Sequence, residues 1–113
     1  MFIVEDDPGM LRLLSDIAQD AGWESHGFTH ISSLRRALAR ERPAMMIIDD
    51  DLPDGRGGDL ARQLRRELPD VTLVVCTAAP SMRRAEIGAW VPVLPKPIDL
   101  GAMERIMERA AAV

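Results

Sequence analysis

The stretch Met45-Met46-Ile47-Ile48-Asp49-Asp50-Asp51-Leu52-Pro53-Asp54-Gly55 decides the fold. Four consecutive apolar residues run straight into three carboxylates, and a turn-forming Pro-Asp-Gly follows. An apolar run without alternation describes a strand covered on both faces, as in a parallel sheet flanked by helices. Three adjacent carboxylates at its end repel one another and favour protonation unless a cation neutralises them.

The same pattern repeats outward from this stretch. Phe2-Ile3-Val4 ends in Glu5-Asp6-Asp7-Pro8, where Asp7 and Pro8 suit the N-cap and first position of a helix. That helix carries Leu11, Leu14, Ile17, Ala18 and Ala21 on one face, and Gly22 stops it. Residues 23–28 alternate loosely as a weak strand. Ser32-Ser33 are expected to cap a helix through Leu34, Ala37 and Leu38 that ends before Pro43. Past the central stretch, Leu60, Ala61, Leu64 and Leu68 mark a third helix, and Val71 to Cys76 is the strongest strand of the chain. Residues 81–87 allow a short helix and residues 91–94 a short strand. Asp99 caps a last helix whose apolar face is Leu100, Met103, Ile106, Met107 and Ala110. Trp23, Trp90 and the seven methionines are expected mainly in the core or at its rim, with an exposed contact face of Met103, Met107 and Trp90 as the alternative.

Five strand-then-helix units of about 20 residues describe an α/β fold, a doubly wound (βα)5 sandwich. The composition agrees with one domain over residues 1–113: 47% apolar, 28% charged, net charge −4. The lone Cys76 makes no disulfide framework, and no apolar run approaches the ~20 residues needed to span a bilayer, which together point to a cytoplasmic protein without a membrane partner. Eighteen acidic against 14 basic residues argue against direct nucleic-acid binding by this domain. The length is that of one domain, either a protein by itself or an excised fragment.

In a doubly wound sheet the functional groups gather at the carboxyl ends of the strands. Those ends carry Glu5 and Asp6, then Asp49, then Thr77, then Lys96. A hard divalent ion such as magnesium suits clustered carboxylates, because it takes oxygen ligands and retains several waters. One carboxylate can then attack phosphorus to give an acyl phosphate, with Thr77 donating a hydrogen bond to the transferred group and Lys96 supplying a point charge. Lys96 is the only lysine among the 14 basic residues, which suggests a site that needs a compact ammonium.

These pieces, Val4-Glu5-Asp6-Asp7-Pro8, Ile47 through Gly55, Val74-Val75-Cys76-Thr77-Ala78 and Lys96-Pro97, resemble the four signatures of the response-regulator receiver domains of two-component signalling. Each motif alone is weak, but four in order over nearly the whole chain are specific. The resemblance implies a flavodoxin-like fold with parallel sheet order 2-1-3-4-5. It implies a phosphoacceptor at Asp49 and magnesium held by Asp6, Asp49 and the main-chain carbonyl of Asp51, with Glu5 acting through a bound water. Thr77 matches the switch hydroxyl, Lys96 the phosphate-contacting lysine, and Ala78 a position kept small for phosphodonors. A cis peptide is expected between Lys96 and Pro97.

Three departures accompany the match. The segment from Thr77 to Lys96 is short and contains Pro80, Pro92 and Pro95, so the fourth helix is expected to be short or irregular. Val93 stands where the family commonly has an aromatic residue, so the usual aromatic switch has no counterpart. Asp51 adds a third carboxylate that could repel a phosphodonor.

The implied function is a phosphorylation-controlled receiver, with weak self-catalysed phosphotransfer rather than metabolic enzyme activity. Its partners would be a sensor histidine kinase or phosphotransfer protein, a downstream protein target or output domain, and a second copy in a homodimer. Two other readings stay open. One is a pseudo-receiver that binds without phosphate, and the other is an aspartyl-phosphate phosphatase using Asp49 and Asp51, similar to haloacid-dehalogenase-like hydrolases.

Overall fold

A computed structural model describes residues 1–112. Strand β1 (Phe2–Val4) leads to helix α1 (Pro8–Asp20), β2 (His26–Phe28), α2 (Ile31–Leu38) and β3 (Met45–Asp49). A small hairpin follows, β4 (Asp51–Leu52) and β5 (Gly55–Arg56), then α3 (Gly57–Glu67), β6 (Thr72–Thr77), α4 (Ser81–Gly88), β7 (Val93–Pro95) and α5 (Leu100–Ala111). The main sheet is parallel, in the order β2-β1-β3-β6-β7. With the hairpin set apart, this is the expected 2-1-3-4-5 order.

Strand periodicity explains why the central runs are apolar throughout. Successive side chains of β3 point to opposite faces. Met46 and Ile48 join Phe2, Val4, Leu73 and Val75 beneath Leu34 of α2, Leu60 and Leu64 of α3, and Ile87 of α4. Met45 and Ile47 join Ile3, Val74 and Cys76 beneath Leu14 and Ala18 of α1 and Met103 and Met107 of α5. Each large side chain buried this way contributes about 1.5–3 kcal/mol relative to an exposed one, so neither layer can be stripped without loss of the other's support. Cys76 is buried, and burial first of all pushes its thiol up to about 12, so it is a core residue and no nucleophile.

The helix ends show which expectations rested on local chemistry. Asp7 caps α1, accepting from Gly9 N at 3.2 Å with Pro8 beside it, and Asp99 caps α5, accepting from Ala102 N at 3.1 Å. Gly22, with φ +92°, ends α1 as expected. The serine cap of α2 does not form. Its N-terminal amides are satisfied from the β4–β5 turn, where Asp54 accepts from Ile31 N at 2.8 Å and Ser32 N at 3.0 Å. Those bonds hold the Asp54 carboxyl below the usual range and tie the turn to α2.

Of the two readings for the methionines of α5, the core reading holds. Met103 and Met107 are fully buried against the sheet, because α5 lays that stripe on the core. Trp90 alone stays half-exposed, with the Arg62 guanidinium 4.6 Å from its ring centre. Helix α4 is short, as expected, but regular over eight residues. No helix among the described residues is long and apolar enough to cross a membrane.

Candidate functional site

The parallel register brings four strand ends together. Glu5 follows β1, Asp49 closes β3 opposite Cys76, Thr77 closes β6 opposite Pro95, and Lys96 follows β7. Backbone bonds lock this edge, from Asp50 N to Cys76 O at 2.9 Å and from Lys96 N to Thr77 O at 2.8 Å. The Lys96–Pro97 peptide is cis.

Carboxylate oxygens of Glu5, Asp6 and Asp49 lie within 4.8 Å of one another. Glu5 and Asp49 are buried and Asp6 is exposed, so the cluster opens to solvent on one side. Lys96 Nζ sits 2.7 Å from Asp49 Oδ1 and 3.6 Å from Glu5 Oε1. Burial alone would lower the Lys96 ammonium, but its bond to Asp49 and the charges of Asp49 and Glu5 more than offset that and hold it above the ordinary lysine range. One ammonium does not satisfy three carboxylates. Burial first, then the shared bond and charge of Asp49, push the Glu5 carboxyl up to about 8 despite Lys96, and Glu5 Oε2 is buried without a hydrogen-bond partner. An unpartnered oxygen facing two further carboxylates is the donor set of a hard divalent cation such as magnesium.

The titration of Glu5 has a direct consequence for stability. Its folded-state affinity for a proton exceeds the unfolded value, so its contribution is complete below about pH 4.5 and is lost as pH rises through about 8. A cation in the cluster would replace that proton. Thermal melts at about pH 5 and about pH 8, with and without magnesium, should therefore show the larger magnesium-induced rise at the higher pH. An equal rise at both would contradict this account of Glu5.

The three consecutive aspartates have three different environments. Asp49 faces Lys96. Asp50, 1% exposed, accepts from Gly58 N at 3.0 Å and from the Thr77 hydroxyl at 3.1 Å, with Arg83 Nη2 at 3.3 Å and Arg56 at 3.8 Å. The Asp51 side chain is 75% exposed and pairs with Arg56 at 3.3 Å, which offsets the repulsion expected toward a phosphodonor. Thr77 Oγ1 also accepts from Ala79 N at 3.0 Å, and Ala78 is exposed beside it. The structure thus unites Glu5, Asp6, Asp49 and Lys96, and it turns the Thr77 hydroxyl to Asp50, a residue that sequence reasoning did not single out.

Gly57 makes the site possible from behind. It donates to Asp50 O at 2.9 Å, and a Cβ there would lie 1.9 Å from Asp49 O. Only glycine lets α3 begin against the backbone that presents Asp49.

Comparison with known proteins agrees with this arrangement. A family model for the response regulator receiver domain matches residues 1–108. The chain is 30% identical to the response regulator protein PilR of Pseudomonas aeruginosa over 112 residues, 96% of this chain and 25% of PilR. It is 29% identical to the DNA-binding transcriptional regulator NtrC of Azospirillum brasilense, over 97% of this chain and 24% of that protein. The chain therefore spans about a quarter of the length of these relatives. Among solved structures, a sensor protein from Polaromonas sp. JS666 is 31% identical with a TM-score of 0.82, covering 98% of this chain and 94% of that one. The beryllofluoride-activated NtrC4 receiver domain dimer superposes with a TM-score of 0.87 at 17% identity, covering 96% and 93% of the two chains, a likeness of fold. This chain belongs to the response regulator receiver domains, which are signalling domains rather than classical enzymes.

Proposed function

We propose that Asp49 accepts a phosphoryl group from the phosphohistidine of a sensor histidine kinase or phosphotransfer protein, and that the charged domain then alters a contact with a downstream protein or output domain. The observation that carries this reading is the buried Asp49 carboxylate, 2.7 Å from the only lysine and clustered with Glu5 and Asp6 at the edge of the sheet. An Asp49 oxygen attacks phosphorus, the phosphorus–nitrogen bond breaks, and its electron pair returns to the imidazole. Lys96 holds Asp49 in place and offers its positive charge to the transferred group. Asp6, Asp49 and the main-chain carbonyl of Asp51, with Glu5 through a bound water, would hold magnesium, which would neutralise charge on the phosphoryl oxygens. The small, exposed Ala78 leaves the approach open. A cytoplasmic setting fits a kinase partner, and a homodimer is a further possible output of the charged state.

Intact mass after incubation with magnesium and acetyl phosphate tests this reading. One added phosphoryl group, absent without magnesium, is the expected result. A folded chain that binds magnesium yet gains no phosphoryl group would favour the pseudo-receiver instead. The phosphatase reading draws no support from Asp51, whose carboxylate is exposed and engaged by Arg56.

A further inference from the structure

The Thr77 hydroxyl has one proton to donate. Its oxygen already accepts from Ala79 N, and its proton goes to Asp50 Oδ2 at 3.1 Å. Asp50 immediately follows the acceptor, but its surroundings are the start of α3 and the α4 side, through Gly58 N and Arg83. On the reading of Asp49 as phosphoacceptor and Thr77 as its switch hydroxyl, a phosphoryl group on Asp49 would lie beside Lys96 and take the same proton. Thr77 cannot serve both acceptors at once.

From this competition we propose that Asp50 is the resting-state latch of the switch hydroxyl, a positioning residue that the phosphoryl group must displace from Thr77. The inference rests on the reading of Asp49 as phosphoacceptor. A bond from hydroxyl to carboxylate is charge-assisted and, inside the protein, stronger than one to a neutral acceptor, so the latch opposes activation. When Thr77 leaves, Asp50 keeps Gly58 N and the cations of Arg83 and Arg56. Arg83 belongs to α4 and also holds Asp59 of α3 at 3.3 Å, so the carboxylate that loses a partner is the one that anchors α4. This gives the domain a route from Asp49 to α4 that needs no aromatic residue at Val93.

A double-mutant cycle on beryllofluoride affinity at saturating magnesium tests the latch, because beryllofluoride mimics the phosphoryl group on Asp49. Asp50→Asn is nearly isosteric and weakens the hold on Thr77, so beryllofluoride should bind roughly tenfold more tightly. In the Thr77→Val background the same substitution should change affinity markedly less, leaving only the effect of removing the negative charge itself. Thr77→Ser should restore the tenfold effect. Equal effects with and without the hydroxyl would overturn the latch and leave the acceptor reading intact, whereas a wild-type chain that binds no beryllofluoride would remove both.

A second measurement does not depend on the Asp50 variant folding. The Gly58 amide proton, bonded to Asp50, should shift in NMR spectra when beryllofluoride saturates the wild-type chain and should shift much less in Thr77→Val. Shifts of the same size in both would overturn the latch.

Discussion

Asp49→Asn is expected to abolish phosphoryl acceptance, while Asp51→Asn leaves it in place. The two substitutions remove the same charge two residues apart, so a general electrostatic effect would treat them alike. The structure does not. Asp49 is buried against Lys96 at 2.7 Å and shares a cluster with Glu5 and Asp6, whereas the Asp51 side chain is 75% exposed on the hairpin beside Arg56. A carboxamide oxygen is a poor nucleophile and forms no stable acyl phosphate, so the loss at position 49 is total rather than partial. Label from a radioactive phosphodonor, counted after equal incubation of both folded variants, checks this. Comparable label in the two would place the acceptor elsewhere.

Gly57→Ala should be the most damaging single-methyl change in the protein. The added Cβ would lie 1.9 Å from the Asp49 carbonyl oxygen and 2.8 Å from Ile48 Cγ2, and real Cβ atoms essentially never come within 3.0 Å of such neighbours. Overpacked side chains typically cost about 1–3 kcal/mol because they can turn aside. Backbone cannot, so the cost here should be about 3 kcal/mol or more, a fall in melting temperature on the order of 10 °C. The shift also displaces the carbonyl that presents Asp49, so residual folded protein should accept phosphate poorly. Gly88→Ala is the matched control. Its Cβ would be 3.9 Å from the nearest atom, Val93 Cγ2, in a helical backbone, and the change should be neutral or stabilise by up to about 1 kcal/mol. Melting curves of both variants decide the matter, and a Gly57→Ala protein as stable as wild type would contradict the packing described at Asp49.

Legibility in the sequence followed the range of the interaction. Strands β1, β3 and β6 are legible because burial on both faces leaves their interiors apolar, with polar residues only at the ends, Asp49, Thr72 and Thr77. The caps Asp7 and Asp99 were readable because each satisfies an amide two or three residues on. The cap of α2 was not, since Asp54 lies 23 residues from Ile31 and only the folded chain brings them together. The spacing of Met103 and Met107 placed them on one stripe without saying which side the stripe faces, and it faces the sheet. The acceptor cluster was visible as polar residues at successive strand ends. What separates Asp49, Asp50 and Asp51 was not, because identical residues in a row differ only through the strand's alternation and the partners it meets: Lys96, Thr77 with Gly58, and Arg56. The hairpin formed by β4 and β5 shows in the sequence only as its turn, because two-residue strands carry no periodicity.

Phosphate carried by Asp49, and not by the aspartates that follow it, has a direct chemical readout. Borohydride reduces an aspartyl phosphate to homoserine and leaves free carboxylates untouched. Applied to the chain after incubation with magnesium and acetyl phosphate, and followed by mass-spectrometric sequencing of the peptide spanning β3 and the hairpin, it reads the acceptor directly. Homoserine at position 49 alone is the predicted result; homoserine at position 50 or 51, or at none of the three in a chain that has gained a phosphoryl group, would contradict it.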